Sequence, residues 1–243
     1  MKLIKLNAID STNDFLKELS KDVETENFTT VMAENQTKGK GQMGSVWVSE
    51  VGKNLTMSTL IKGLLLNPEE VFHLNVMVSI SIIQVLRELN IPNLAIKWPN
   101  DIMSDTKKIA GILIENRFKS DKSIESIVGI GMNVNQNNFN SLPNATSLGL
   151  IMSKDYDVNQ LVDLIVFKII ENSKLISTTN VSILWEIYYK NLFKKEVLMP
   201  FEDTNKNTFF GFIIGVSIEG RLQVRLQDNA IKTFGIKEIK MVY

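Results

Sequence analysis

The chain predicts an α/β (α+β) fold with a small all-β unit behind it, and three observations carry that expectation. Residues 67–90 open on the start signal Asn67-Pro68-Glu69-Glu70 and continue through an apolar run from Val76 to Leu86, as a buried helix does. Two apolar runs, 108–114 and 124–132, have strand length and β-branched content. After Glu196 the texture changes to several short strand-like runs at close spacing, the pattern of a small β-barrel. The boundary falls near Lys195, which gives units 1–195 and 196–243.

In chain order, residues 2–8 alternate well enough for a first strand. Ser11 is placed to cap a helix through Ser20, with Phe15, Leu16 and Leu19 on its apolar side. Phe28 to Ala33 is a β-branched run that delivers the chain to the glycine-rich stretch 39–44. Val46 to Ile61 alternates like one or two strands, broken at Gly52-Lys53-Asn54. The long helix follows, with His73 expected as a partly covered structural residue. Leu94 to Trp98 reads as a short strand stopped by Pro99 and Asn100, with Pro-Asn-Asp as turn chemistry. A polar turn at 104–107 leads into Lys108 to Ile114, whose two faces are both apolar, so burial on both sides is expected. That places a desolvated Lys108 at the mouth of a buried strand and leaves Gly111 room for a close approach. Ile124 to Met132 is the next strand, and two helices follow at about 158–176 and 181–193. The final strands are 209–216, 222–226, 231–234 and 239–242, with turns at Ile218-Glu219-Gly220 and Gln227-Asp228-Asn229.

Composition excludes several classes. The 27 basic and 27 acidic residues cancel, so nothing draws the protein in bulk to DNA or a membrane. There is no cysteine and one histidine, His73, which removes disulfides, thiolate sites, a Ser-His-Asp triad and a multi-histidine metal site. Val76–Leu86 is too short and too polar, at Ser79, Ser81 and Gln84, to span a bilayer. The N-terminus lacks a signal peptide's apolar core and cleavage site, so a cytoplasmic protein is expected.

Gly39-Lys40-Gly41-Gln42-Met43-Gly44 satisfies G-x-G-x-x-G, but that dinucleotide fingerprint needs a helix directly behind it, and Ser45 to Ser49 reads as strand. With Val46 the loop also fits a kinase pattern, yet H-R-D and D-F-G are absent, as is a Walker A loop. What remains is a glycine loop carrying Lys38 and Lys40, whose N–H groups can wrap an anion. Taken alone it equally fits a hairpin turn with solvated lysines, as Lys107 and Lys108 fit another. Trp47 alone fits a core residue as well as a ligand contact.

Taken together, Gln36 to Trp47, Lys97-Trp98-Pro99-Asn100-Asp101, Lys108-Ile109-Ala110-Gly111-Ile112-Leu113-Ile114-Glu115, Gly129-Ile130-Gly131-Met132-Asn133 and Asp10-Ser11-Thr12-Asn13 resemble the biotin protein ligases (biotin–acetyl-CoA-carboxylase ligases). The resemblance extends over nearly the whole chain. It implies a mixed β-sheet flanked by helices, as in biotin and lipoate ligases, with an SH3-like C-terminal barrel. The implied activity activates biotin with ATP and Mg²⁺ to biotinyl-5′-AMP, then transfers biotin to a lysine of a biotin carboxyl carrier protein. On this resemblance Ser11, Thr12, Asn13, Gln36, Gly39, Lys40, Lys108 and Gly111 bind biotin. Lys40, Gln42, Trp47, Asn100, Asp101, Lys108 and Asn133 hold ATP or the adenylate: Trp47 stacks on adenine, Asn133 reads it, and Asp101 is the metal residue. Lys108 is the catalytic residue, bridging carboxylate and α-phosphate. Gly129 and Gly131 let the strand end pass close to the nucleotide. The sequence departs from the family's G-R-G-R-x-G-R loop at Gln42 and Ser45, both neutral, and it begins with no helix-turn-helix, so no operator-binding role is expected. A monomer or weak homodimer is expected. The rival readings are a lipoate– or octanoate–protein ligase and a non-catalytic biotin sensor.

Overall fold

Ser11 ends the first strand and starts the first helix. β1 (Leu3–Ile9) leads into α1 (Thr12–Leu19), where the Ser11 side chain accepts the Asp14 N–H at 3.3 Å and Ser20 closes the helix. The computed structural model describes residues 2–242 apart from 23, 65–66, 122 and 178–179. Leu16 of α1 packs on Val31, Leu60 and Ile127, with Phe15 and Leu19 beside it, as the helix periodicity predicts.

The strands beneath are β2 (Thr30–Gln36), β3 (Leu55–Lys62), β4 (Leu94–Lys97), β5 (Asp101–Ser104), β6 (Lys107–Phe118) and β7 (Ile124–Met132). They form one seven-stranded sheet in the order β1-β2-β3-β7-β6-β5-β4. β1 and β2 run parallel and the remaining pairs antiparallel, so the sheet is mixed as expected. α2 (Val71–Glu88), α4 (Val158–Ser177) and α5 (Val181–Lys190) pack together on the face opposite α1, and a short α3 (Leu148–Met152) precedes the last two. Asn67 accepts the Glu69 N–H in a 3₁₀ turn that opens α2. The one described segment long and apolar enough to cross a membrane, Pro68–Glu88, is 78% buried inside the fold. His73 is buried outright rather than partly covered, edge-on to Trp185.

The period of two sorts the two faces. Ala110, Ile112, Val128, Ile130 and Met132 join the large core under α2 and α4. Gly111, Leu113, Gly129 and Gly131 point the other way. β6 is therefore not buried on both sides: one face carries the core and the other opens into a cavity lined by Gly111 and Leu113.

The small β unit is a five-stranded antiparallel sheet, β8 (Leu198–Asp203), β9 (Thr208–Val216), β10 (Leu222–Leu226), β11 (Ile231–Phe234) and β12 (Ile239–Met241), ordered β11-β10-β9-β8-β12. Gly220 turns at φ +83 where its carbonyl accepts the Trp98 indole N–H at 2.9 Å, and the Phe72 ring occupies the space a side chain would need. Tyr189 adds a bond to Val216 O at 2.7 Å.

Several elements differ from expectation, the short α3 among them. Asn100 stands in the turn, but Asp101 opens β5, whose start the turn chemistry concealed. β8 carries Pro200 and lacked a strand signal. Residues 45–49 are not a strand. Only Val46 bridges, to Lys40, and the segment instead follows a 3₁₀ turn over Gln42–Gly44.

Candidate active site

The floor of the cavity is made by strand positions without side chains. A Cβ at Gly129 would collide with Asn13 Oδ1, and one at Gly131 would collide with the Trp47 indole. At Gly111 it would lie 3.0 Å from Lys108 Nζ. The space above measures about 790 Å³.

The N-terminus of α1 forms one wall. Ser11, Thr12 and Asn13 are all buried. Gln36 Oε1, from the end of β2, accepts both the Thr12 N–H at 2.8 Å and the Thr12 hydroxyl at 3.0 Å. Because a backbone N–H can only donate, the Gln36 amide is fixed with its NH₂ turned away and available to a ligand. The Ser11 oxygen is occupied by Asp14 N–H, which leaves its own O–H to donate. Ser58 of β3 lies 2.7 Å from Thr12 Oγ1 and 2.6 Å from Asn13 Oδ1. Asn13 Nδ2 donates to Glu115 Oε2 at 2.7 Å. This end is a polar, uncharged-ligand site with its groups held in place.

The turn after β4 forms the opposite wall. Asn100 ties the turn to β6: its backbone carbonyl accepts Ile112 N–H at 2.9 Å and its side-chain NH₂ donates to Ile112 O at 2.7 Å. Asp101 pairs with Lys108 at 2.6 Å, and Lys108 Nζ stands 5.6 Å from the Trp47 ring centroid. The Lys108 side chain is 34% exposed, so the expectation of a desolvated lysine is corrected: it is a solvent-reached, ion-paired cation at the cavity edge.

The glycine loop is the roof. Gly39 sits where a Cβ would strike the Trp47 carbonyl, and its own carbonyl accepts Trp47 N–H at 3.0 Å, so it shapes the loop and does not line the cavity. Met43 and Gly44 both have positive φ, and Gly41 N–H reaches Ser45 O at 2.7 Å. Gln42 and Trp47 line the cavity. Lys40 is paired with Asp14 at 2.6 Å and Lys38 with Asp10 at 2.7 Å; hydrogen bonding to those carboxylates raises the pKa of each lysine. Both cations are already engaged.

The structure does not bring Asn133 to the cavity wall. It lies just past the end of β7, buried, with its amide donating to Thr146 O at 3.1 Å. The register that presents Gly129 and Gly131 ends with the strand. Sequence reasoning also missed Ser58, Glu115, and Lys237 of the C-terminal unit, whose amine donates to Met43 O at 2.7 Å. Glu115 was open to discovery, since it shares a strand face with Gly111 at the period of two. Nothing local marks Ser58 or Lys237.

Among the described residues no three His, Asp or Glu side chains gather as a metal site. One carboxylate, Asp101, stands on the wall beside Lys108. No thiol exists, and His73 is buried on α2, which packs on the other face of the sheet. The arrangement therefore suits positioning and charge neutralisation in place of nucleophilic catalysis: a neutral polar head at the α1 end, an anionic group at Lys108.

Residues 6–133 match the Biotin/lipoate A/B protein ligase family. The bifunctional ligase/repressor BirA of Bacillus subtilis is 31% identical over 244 residues, covering 96% of this chain and 72% of that protein. The human biotin–protein ligase is 34% identical over 115 residues, 44% of this chain and 15% of that one. Among solved structures, the biotin protein ligase of Aquifex aeolicus in complex with biotin and ATP superposes with a TM-score of 0.80 at 26% identity, covering 99% of this chain and 98% of that one. With more than half its length matching the family and a relative above 30% identity along almost all of it, the chain belongs to the biotin/lipoate A/B protein ligase family.

Proposed function

We propose that the protein is an ATP-dependent biotin–protein ligase, which forms biotinyl-5′-AMP and transfers biotin to a lysine of a biotin carboxyl carrier protein in the cytoplasm. One observation carries the reading: a single cavity holds a fixed neutral hydrogen-bonding set (Ser11, Thr12, Asn13, Gln36) and an ion-paired lysine, Lys108, over a floor of glycines. The relatives' names support the same activity.

In the first half-reaction the biotin carboxylate attacks the α-phosphorus of ATP in line and pyrophosphate leaves. Such transfer depends on alignment and on charge placed where it develops. Lys108 neutralises the carboxylate and α-phosphate as they approach each other, Trp47 offers a ring face to adenine, and Gln42 of the loop covers the phosphates together with Lys40, which exchanges its Asp14 partner for them. Asp101 would be the residue to hold Mg²⁺, an ion for which one carboxylate beside substrate phosphates is an adequate protein share. Bound there, the ion would neutralise phosphate charge. In the second half-reaction an acceptor lysine attacks the acyl carbon of the mixed anhydride, expelling AMP. We assign no adenine contact to Asn133. We take residues 1–195 as the ligase unit and 196–243 as a separate C-terminal unit.

A lipoate or octanoate ligase is disfavoured by the α1 wall. An alkyl or dithiolane end would leave the Ser11 O–H, the Gln36 NH₂ and the second lone pair of Asn13 Oδ1 unmet, and sites built to hydrogen-bond a ligand reject analogues that cannot reciprocate. A non-catalytic sensor is disfavoured by Lys108 and Asp101 at the opposite wall. Incubation with biotin, ATP, Mg²⁺ and a carboxyl carrier domain should add one biotinyl group to one acceptor lysine, read by intact-mass and peptide spectrometry. An unmodified acceptor under conditions where an authentic ligase labels it would contradict the proposal.

A further inference from the structure

We infer that Glu115 is a positioning residue for the head-group end of the cavity: it fixes which way the Asn13 amide faces and so makes that subsite an acceptor for a ligand N–H. The identity of the ligand rests on the ligase reading above; the polarity of the subsite rests on geometry alone.

Glu115 lies on the glycine-bearing face of β6, two residues beyond Leu113. One of its carboxylate oxygens is taken by the Lys17 amine, and the other accepts Asn13 Nδ2 at 2.7 Å. A carboxylate cannot donate, so Asn13 must turn its NH₂ toward Glu115; the Leu113 carbonyl, 3.5 Å from the same nitrogen, adds a longer and weaker bond in the same sense. Its Oδ1 then lies over Gly129 on the cavity floor, with the Ser58 hydroxyl 2.6 Å away as a donor. Asn13 is only 3% exposed, so no water-filled alternative orientation is open to it. A carbonyl oxygen has two lone pairs, and Ser58 uses one. The subsite thus sets two donors, the Ser11 O–H and the Gln36 NH₂, against one acceptor, Asn13 Oδ1. A cyclic urea, with one carbonyl and ring N–H groups, has the complementary set.

The test inverts that polarity. In Glu115→Gln, Lys17 claims the amide oxygen, so the new NH₂ faces Asn13 and forces it to flip, presenting a donor where the acceptor stood. Isothermal titration should show biotin binding weakened by at least about tenfold, with ATP affinity little changed, since a ligand N–H then meets an N–H. Discrimination between biotin and an analogue with a ring N–H replaced by oxygen should narrow in parallel. The double variant Asn13→Asp/Glu115→Gln restores an acceptor over Gly129, because the carboxylate introduced on α1 can only accept, and should recover most of the lost affinity. Should Glu115→Gln fail to fold, Glu115→Asp keeps an acceptor-only partner and should keep the urea preference. Wild-type-like biotin binding in Glu115→Gln would overturn the inference. So would a parallel loss of biotin and ATP affinity, a double variant no better than the single one, or a folded Glu115→Asp without the preference. A wild-type protein that binds ATP but not biotin would overturn the ligase reading itself, a separable failure.

Discussion

Lys108 reaches the cavity with a partner in place, the Asp101 carboxylate 2.6 Å away, and with Gly111 and the Trp47 ring beneath it. A lysine held in this way is oriented before a ligand arrives, so an incoming carboxylate and phosphate meet a fixed charge. Removing an oriented charge at a transferring phosphoryl group commonly costs several kcal/mol, so Lys108→Ala should lower the rate of adenylate formation by at least about 100-fold. The melting temperature should barely move, because the side chain is one-third exposed and its ion pair contributes little to stability. Near-normal adenylation in folded Lys108→Ala protein would remove its role. His73 gives a second residue-scale expectation. It is the sole histidine, and burial lowers its pKa below the ordinary value of 6.5 despite the opposite pull of Glu70. The unfolded chain therefore takes up this proton first. Its contribution to stability is complete above about pH 6.5 and declines as the pH falls through that value. Urea melts from roughly pH 5 to 7.5 should show that decline in the wild type and a flatter profile in His73→Gln. Identical profiles would mean that His73 protonates equally easily in both states.

At the scale of elements, the glycine loop between β2 and β3 is closed on itself by Gly41 to Ser45 and Trp47 to Gly39, and is held to its surroundings by side chains at the surface: Lys38 to Asp10, Lys40 to Asp14 and Lys237 to the Met43 carbonyl. Its apolar side chains Met43, Val46, Val48 and Val51 are all exposed. Trypsin should cut after Lys38 or Lys40 in the free protein and more slowly with biotin and ATP, whose contacts offset the entropy of fixing glycines. Equal cleavage rates in both states would count against closure over ligand. The same loop shows where the sequence could mislead. Val46, Trp47 and Val48 have the β-branched and aromatic content of strand residues, yet such content gives a strand only when another strand is there to pair, and here only one bridge forms. β7 and β10 were legible to the residue because the apolar runs there pack against a core once the strands pair. The site divides along the same line. Ser11, Thr12, Gln36 and Lys108 lie in short motifs and were readable. Ser58 of β3 and Glu115 of β6 act through Asn13 of α1, far away in the chain in each case, and they meet it only once the strands are ordered and α1 lies on their face of the sheet.

Across the whole molecule the cavity is bounded by both ends of the chain. The α1 terminus gives the polar wall, the glycine loop the roof, and residues within 236–242 of the C-terminal unit part of the remaining rim. The C-terminal sheet is anchored to the ligase unit by Trp98 to Gly220 and Tyr189 to Val216, and it touches the roof through Lys237. Roof, rim and floor thus form one assembly whose two ends differ in character: neutral and polar at α1, cationic at Lys108. That difference decides which carboxylate the proposed ligase selects as well as where the carboxylate reacts. Exchange of labelled pyrophosphate into ATP, run in parallel with biotin, lipoate and octanoate as the only carboxylate, tests it most directly. Exchange should depend on biotin, with kcat/KM for lipoate and octanoate lower by at least about 100-fold. Exchange supported by lipoate or octanoate and not by biotin would contradict it.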